Sequence, residues 1–204
     1  MYQTVRGLTI RTVDYKEADQ ILTILTDTRG CLTVKARGVR RKGSRLKAAA
    51  QLFTFSQMTL YEQKGRATLH DAEILQQFPG LQTDLTKLAL GTYFAQAAEV
   101  LSQEDLPNPE LLSLVLNCLY ALSKLDLPEE MVKAVFELRI ACLAGYMPDI
   151  SGCHMCGEQN FGYFDLSAGQ FLCENCRTAD HTGIRMPISQ GTLQAMQYIV
   201  NCKS

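Results

Sequence analysis

The chain has 204 residues, 47% of them hydrophobic, and a formal net charge of −1. These values are typical of a globular protein with one large domain or two small ones. No apolar run is long enough to cross a bilayer, and the first residues lack the apolar stretch of a signal peptide. The sequence therefore argues against a membrane-spanning protein and predicts a soluble protein of a reducing compartment.

Charge is distributed unevenly along the chain. Residues 1–80 carry 13 Lys and Arg against 7 Asp and Glu, whereas residues 81–204 carry 7 against 14. Such asymmetry indicates that the first part of the chain meets an anionic partner and that the second part has another role.

The first eighty residues read as β-strands separated by turns. Segments rich in Val, Ile, Leu, Thr and aromatic residues predict strands over residues 5–13, 20–26, 31–39, 52–61 and 66–75. Turn signals at Gly30, Gly43 and Gly65 separate them. Five short strands fit a small closed barrel of the OB-fold type, a fold that often binds oligonucleotides.

Seven basic residues and no acidic residue lie between positions 35 and 47: Lys35, Arg37, Arg40, Arg41, Lys42, Arg45 and Lys47. A run of charge is usually a solvated surface, and that interpretation stays open. Residues 32–37, however, alternate so that a strand would bury Leu32 and point Lys35 and Arg37 outward together. Gly38 and Gly43 then predict a flexible basic loop. Mobile cations beside a cationic strand suit a phosphate backbone, so we predict that these seven residues bind nucleic acid.

Helical periodicity replaces strand alternation after residue 81. Apolar residues at helical spacing predict helices over residues 85–99, 109–122, 128–143 and 189–200. Asn108 followed by Pro109 predicts the start of the second helix, and Ser189 predicts the cap of the last one.

Four cysteines, Cys153, Cys156, Cys173 and Cys176, have the C-x2-C-x16-C-x2-C spacing of a closed zinc site. A β-hairpin predicted between residues 160 and 171 would bring the second pair back beside the first. Four thiolates leave no open position on zinc, so the predicted Zn²⁺ is structural. Two disulfides or free thiols remain alternatives, as does replacement of one cysteine by His154 or His181.

The sequence lacks the motifs of the common enzyme classes. It has no G-x-x-x-x-G-K-[ST] phosphate loop, no H-E-x-x-H zinc motif and no G-x-S-x-G nucleophile elbow. We therefore predict a binding protein with no catalytic residues. The alternatives are an RNA-binding OB-fold and zinc-ribbon module or transcription factor, and a metal-dependent nuclease whose carboxylates gather only in three dimensions.

Several short segments, each weak alone, occur in an order that resembles the RecO family of bacterial recombination-mediator proteins. In chain order they are EADQILT at 17–23, RGVRRKGSR at 37–45, QLF at 51–53, AE at 72–73, and GYMP at 145–148 just ahead of CHMCG at 153–157. The resemblance covers nearly the whole chain, although members of that family usually continue with further helix beyond the position of Ser204.

The resemblance implies an α+β multidomain protein. An N-terminal OB-fold nucleic-acid-binding domain is expected over residues 1–79, and a helical domain over residues 80–204 with a zinc-finger insertion at about 151–186. It also implies a cytoplasmic, nucleoid-associated protein of DNA repair by homologous recombination. Such a protein would bind single- and double-stranded DNA, anneal complementary strands, and cooperate with RecR in loading RecA onto DNA coated by single-strand-binding protein.

Overall fold

The computed structural model describes residues 1–178 and 183–202. The chain divides into two compact units, Met1–Phe136 and Glu137–Ser204. The prediction of a boundary between residues 79 and 80 is a different division, and it stays a prediction. No helix in the described ranges is both long and apolar enough to cross a membrane.

The first unit begins with a five-stranded closed barrel. Its strands are β1 (Tyr2–Tyr15), β2 (Asp19–Thr26), β3 (Cys31–Ala36), β4 (Thr54–Gln63) and β5 (Arg66–Gln77). The strand order around the barrel is β1-β2-β3-β5-β4, and β1 pairs with β4 to close it. All pairings are antiparallel except that of β3 with β5. This arrangement confirms the predicted OB-fold barrel.

Alternation along each strand fills the barrel with apolar side chains. In β3, Leu32, Val34 and Ala36 are buried while Thr33 is exposed, as the sequence pattern predicts. Inward-facing residues of the other strands complete this core, together with two residues of the segment between β3 and β4. Its buried members are Val5, Leu22, Ile24, Leu32, Val34, Ala36, Val39, Ala50, Met58, Leu60 and Leu69.

Several strands extend two or three residues beyond their predicted bounds, and two end or begin inside them, for which backbone dihedral angles give the reason. The third strand ends at Ala36 instead of residue 39, because Gly38 adopts a φ of +62° that an extended strand does not allow. The fourth strand begins at Thr54 instead of residue 52, because Phe53 has a φ of +58°. The segment between them is therefore longer than predicted and carries most of the basic residues.

Helices follow the barrel in the order α1 (Leu85–Leu101), α2 (Pro109–Lys124) and α3 (Glu129–Leu143). Asp84 caps α1 by accepting hydrogen bonds from the N–H groups of Thr86 and Lys87. Asn108 caps α2 by accepting from the N–H of Leu111 at 3.0 Å, which confirms the predicted helix start. In the first unit, the rings of Phe94 and Phe136 stack with centroids 4.1 Å apart in a fully buried position.

The turn between β2 and β3 joins the barrel to the connection between α1 and α2. Arg29 donates from Nε to Asp105 Oδ1 at 2.7 Å and also pairs with Glu62 of β4. Next to it, Gly30 has a φ of +59°, and a Cβ atom built there would lie 2.0 Å from the carbonyl oxygen of Gln103. Only glycine fits this contact, because it alone tolerates both the close approach and the dihedral angle.

The second unit contains a three-stranded sheet and a terminal helix. The strands are β6 (Tyr163–Asp165), β7 (Gln170–Leu172) and β8 (Arg185–Pro187), in the order β7-β6-β8, and the helix is α4 (Gln190–Asn201). The β6–β7 hairpin confirms the predicted hairpin, whereas β8 was not predicted. Asp165 Oδ1 holds the hairpin turn by accepting from the N–H groups of Ser167 and Ala168. Ser189 caps α4, as predicted, by accepting from the N–H of Thr192.

Candidate nucleic-acid interface and metal centre

We call residues 35–47 the basic segment. After β3 its backbone runs through successive turns, in which the N–H of Arg41 donates to Gly38, that of Ser44 to Arg41, and that of Lys47 to Ser44. Leu46 turns inward and packs against the barrel core. Val39 is buried in the same core, and the charged side chains that follow it face solvent.

The start of the basic segment is fastened to the turn between β1 and β2. Asp19 Oδ1 accepts from the N–H of Gly38 at 2.8 Å, and the N–H of Arg40 donates to the carbonyl of Ala18. The hydrogen bond from Gly38, followed by that from Lys35, lowers the pKa of the Asp19 carboxyl below its ordinary value. Asp19 thus stays ionised and sets where the segment leaves the barrel.

Two of the seven predicted cations are neutralised by acidic residues of the β1–β2 hairpin. Lys35 is half-buried, with Nζ 2.9 Å from Asp19 Oδ2 and 4.8 Å from the centre of the Tyr15 ring. Arg40 is more open, and its Nη1 lies 3.2 Å from Asp14 Oδ2. Both side chains contribute less free positive charge than the sequence predicts.

The other five cations are exposed, and none of them has an ion-pair partner in the described part of the chain: Arg37, Arg41, Lys42, Arg45 and Lys47. Elsewhere in the barrel, by contrast, Arg6 pairs with Asp27 and Arg11 pairs with Glu99. Five exposed cations without an ion-pair partner in the described residues thus lie close together in the basic segment, where they attract a polyanion.

Sequence reasoning missed a groove that adjoins the basic segment at Arg37. It has a volume of about 770 Å³, and its lining also includes Tyr2, Tyr61, Lys64 and Arg66. Alternation along β5 could have indicated that Arg66, Thr68 and His70 share a face. The contribution of Tyr2 could not have been read locally, because it comes from a strand about sixty residues away in sequence.

The four predicted metal ligands come together in the second unit. The Sγ atoms of Cys153, Cys156, Cys173 and Cys176 all lie within 4.8 Å of one another. The distance between the sulfurs of Cys156 and Cys173 is 3.7 Å. Tetrahedral zinc with Zn–S bonds of about 2.3 Å separates its sulfurs by about 3.8 Å, so the Cys156–Cys173 distance matches such an ion and the other sulfurs lie within about 1 Å of that spacing. All four are free thiols and none forms a disulfide.

Backbone N–H groups prepare this cluster for a cation. Burial alone would raise the pKa of the Cys153 thiol, but the N–H groups of Cys173, Cys156 and Met155 lower it to about 6. Its sulfur neighbours raise the pKa of Cys176 to about 12. Adjacent sulfurs therefore disfavour the Cys176 thiolate when no cation is near, whereas a divalent metal would stabilise it.

The surroundings of the cluster are those of a packed mini-core. Its buried members are Cys153, Phe161, Phe171, Leu172, Cys173 and Leu193, the last from α4. His154 is exposed and donates its backbone N–H to Phe171, and His181 lies outside the described residues. Arg177 donates from Nε to Glu174 Oε1 at 2.8 Å and sits over the Tyr163 ring. Because that cation is already paired, the centre offers little positive charge to DNA.

Comparison with known proteins agrees with this two-part arrangement. Residues 1–78 match the family model described as recombination protein O N terminal, and residues 82–204 match the one described as recombination protein O C terminal. The chain belongs to the RecO family. The two family models meet close to the end of the barrel, and the cysteine cluster falls in the second.

Curated RecO relatives are similar to almost the entire chain. A protein of Acetivibrio thermocellus named DNA repair protein RecO is 33% identical over 99% of this chain and 80% of its own length. Proteins of the same name from Halalkalibacterium halodurans and Listeria monocytogenes are 30% and 31% identical, over 88% and 89% of this chain and 71% of their own lengths. The similarity to the Acetivibrio thermocellus protein thus spans the ranges of both the barrel and the cysteine cluster.

Proposed function

We propose that this RecO-family protein is a DNA-binding recombination mediator in DNA repair. In this proposal the basic segment binds single- and double-stranded DNA, and the protein anneals complementary strands and helps to load the RecA recombinase together with RecR. The observation that carries the proposal is the group of five exposed cations, without carboxylate partners in the described residues, beside a closed OB-fold barrel.

The proposed binding mechanism is electrostatic. Each cation that contacts a phosphate releases condensed counterions, so binding is favourable and depends on salt but not on base sequence. Lowering the repulsion between two strands lets base pairing itself drive annealing. The reaction needs no covalent step, and we therefore assign no catalytic residue.

The cysteine cluster has a structural role in this proposal. Cys153, Cys156, Cys173 and Cys176 would hold Zn²⁺, which supplies four metal–thiolate bonds and no open coordination position. The adjoining strands and α4 surround the cluster with a core too small to be stable on burial alone. Metal binding would then stabilise the fold of the second unit.

Protein partners and location follow from family membership as further proposals. RecR and single-strand-binding protein are the proposed direct partners, and RecA is engaged indirectly. A cytoplasmic, nucleoid-associated location belongs to the same proposal because DNA is the proposed ligand.

The decisive experiment measures binding and annealing of complementary oligonucleotides by the purified protein without nucleotide. We expect binding that weakens steeply with salt, annealing faster than in buffer alone, and intact DNA after incubation with Mg²⁺. Absence of binding at low salt would overturn the proposal. Tighter binding to RNA than to single-stranded DNA of the same sequence would favour the RNA-binding alternative, and cleavage with Mg²⁺ would favour the nuclease.

A further inference from the structure

The groove beside the basic segment contains a cluster of three aromatic rings from three strands. The Tyr2 ring centroid lies 5.1 Å from that of Tyr61 and 5.0 Å from that of His70. The planes are inclined at 51° and 66°, so the rings meet tilted or edge-on and are not stacked in parallel. Tyr2 is 58% exposed and Tyr61 is 36% exposed. Both tyrosine side chains are therefore accessible from the groove.

Strand pairing places these rings together. Tyr2 is the direct partner of Tyr61 across β1 and β4, and Tyr61 is the partner of Thr68 across β4 and β5. His70 lies two residues beyond Thr68 and faces outward beside Tyr2, at the register shift in β5 between the partners of Thr59 and Leu60. β-bulges are a usual means of redirecting a side chain next to a binding site.

Backbone hydrogen bonds fix the position of Tyr2, which is the first residue of β1. The Met1 ammonium donates to the carbonyl of Glu62 at 2.8 Å, and the N–H of Glu62 donates back to Met1 at 2.9 Å. The Glu62 side chain turns away from Tyr61 to pair with Arg29. Its carboxylate therefore lies beside the Arg29 guanidinium and does not line the groove.

The charge of the groove matches a nucleic-acid strand. Arg37, Lys64 and Arg66 line it, and within the described part of the chain no carboxylate does. Its volume of about 770 Å³ lies in the range of about 300–1,000 Å³ typical of sites for small molecules and cofactors. Cations beside open aromatic faces are the combination that binds single strands, with phosphates on the cations and bases on the rings.

We propose that this groove stacks the unpaired bases of single-stranded DNA on Tyr2 and Tyr61, with His70 supporting Tyr2. The proposal rests on the DNA-binding function proposed above and adds a second, chemically distinct contact to it. The basic segment contacts phosphates, which are exposed on both single and double strands. The groove contacts base faces, which are stacked on one another and inaccessible in a duplex. The groove therefore makes the protein prefer single strands.

The test compares the full chain with the double variants Tyr2→Ala/Tyr61→Ala and Tyr2→Phe/Tyr61→Phe. Binding to a labelled oligothymidylate, to a duplex and to an abasic strand of equal phosphate number is measured by fluorescence anisotropy at one salt concentration. For single strands the alanine variant should bind at least about 5-fold more weakly, the lower bound for losing one stacked base. Duplex binding should stay the same, and the phenylalanine variant should bind like the parent protein. Tyr120→Ala, at an exposed position of α2, is the matched control.

A comparison of two strands with the parent protein alone does not depend on the correct folding of any variant. It should bind the abasic strand at least about 5-fold more weakly than oligothymidylate. Equal binding of those two strands, or an equal loss of single-strand and duplex binding in the alanine variant, would overturn the groove assignment alone. A parent protein that binds none of the DNAs would overturn the proposed function as well.

Discussion

Removing free cations from the basic segment should change how DNA binding depends on salt. The triple variant Arg41→Ala/Lys42→Ala/Arg45→Ala removes three of the five exposed cations that have no ion pair in the described residues. Of these five, it leaves Arg37 and Lys47. All three lie in the turns after β3, where no core contact depends on them. The variant should therefore retain the barrel, and its melting temperature should remain that of the parent.

The size of the effect follows from counterion release. If each of the five free cations contacts one phosphate of a single strand, the slope of log K against log salt is about −3.5, and two remaining contacts give about −1.4. Between 50 and 200 mM salt, the affinity of the parent protein should then fall by about 130-fold and that of the variant by about 7-fold. The two curves converge at high salt, because the lost interactions are the ones that salt weakens.

Fluorescence anisotropy of a labelled oligothymidylate across that salt range measures both slopes. The matched control is Arg6→Ala/Arg11→Ala, which removes cations of the same barrel that are already paired with Asp27 and Glu99. Its slope should stay within about one unit of the parent value, since paired cations release few counterions. An unchanged slope in the triple variant, or an equal flattening in the control, would refute the assignment of the basic segment as the DNA site.

Three further predictions concern the metal, the fold and pH. Cys173→Ser should lower bound zinc, measured by atomic absorption, and the melting temperature together, because metal binding and folding of the second unit are coupled. Gly30→Ala should destabilise the first unit by about 2–5 kcal/mol in urea unfolding, because its Cβ collides with the Gln103 carbonyl at positive φ. Because the pKa of Asp19 is lower in the folded protein than its ordinary value of 3.8, the ionised carboxylate stabilises the fold at pH values above 3.8. This contribution is lost as the pH falls through the lowered pKa. Asp19→Asn should therefore be less stable than the parent at pH 7, with a smaller difference at acid pH.

Each of these predictions has a result that contradicts it. Full zinc occupancy with unchanged melting in Cys173→Ser would remove the metal assignment. Gly43→Ala, at a φ of +80° with nothing within 4 Å of the new Cβ, isolates the dihedral cost, and an equal loss in both glycine variants would exclude the collision. A stability difference for Asp19→Asn that is the same at pH 7 and at acid pH would show that the carboxylate charge has no part in it.

Local patterns predicted the elements of this protein well because their causes are local. The alternation of residues 32–37 is set by the two-residue period of a strand, and β3 buries the expected face. Asn108 and Ser189 cap helices because their side chains bond N–H groups three residues further on. Where those patterns failed, at Gly38 and Phe53, a left-handed backbone ended or delayed a strand.

The candidate sites were predictable to different degrees. The spacing of Cys153, Cys156, Cys173 and Cys176 was enough to predict a metal cluster, because one hairpin brings the two pairs together, and their sulfurs do lie together. That these residues hold zinc stays a prediction. The sequence showed the run of seven basic residues, but it could not distinguish the two that are paired with carboxylates from the five that are not.

By itself, the sequence determined the five barrel strands and the four helices to within a few residues, and the thiol cluster, since hydrogen bonds and periodicity over a few residues are enough for that. Only the tertiary structure decided that Asp14 and Asp19 neutralise Arg40 and Lys35, and that Tyr2 meets Tyr61. Charges and rings act through space, and closure of the barrel brings together strands far apart in sequence. Which cations stay unpaired and which rings meet is therefore decided only in the folded barrel.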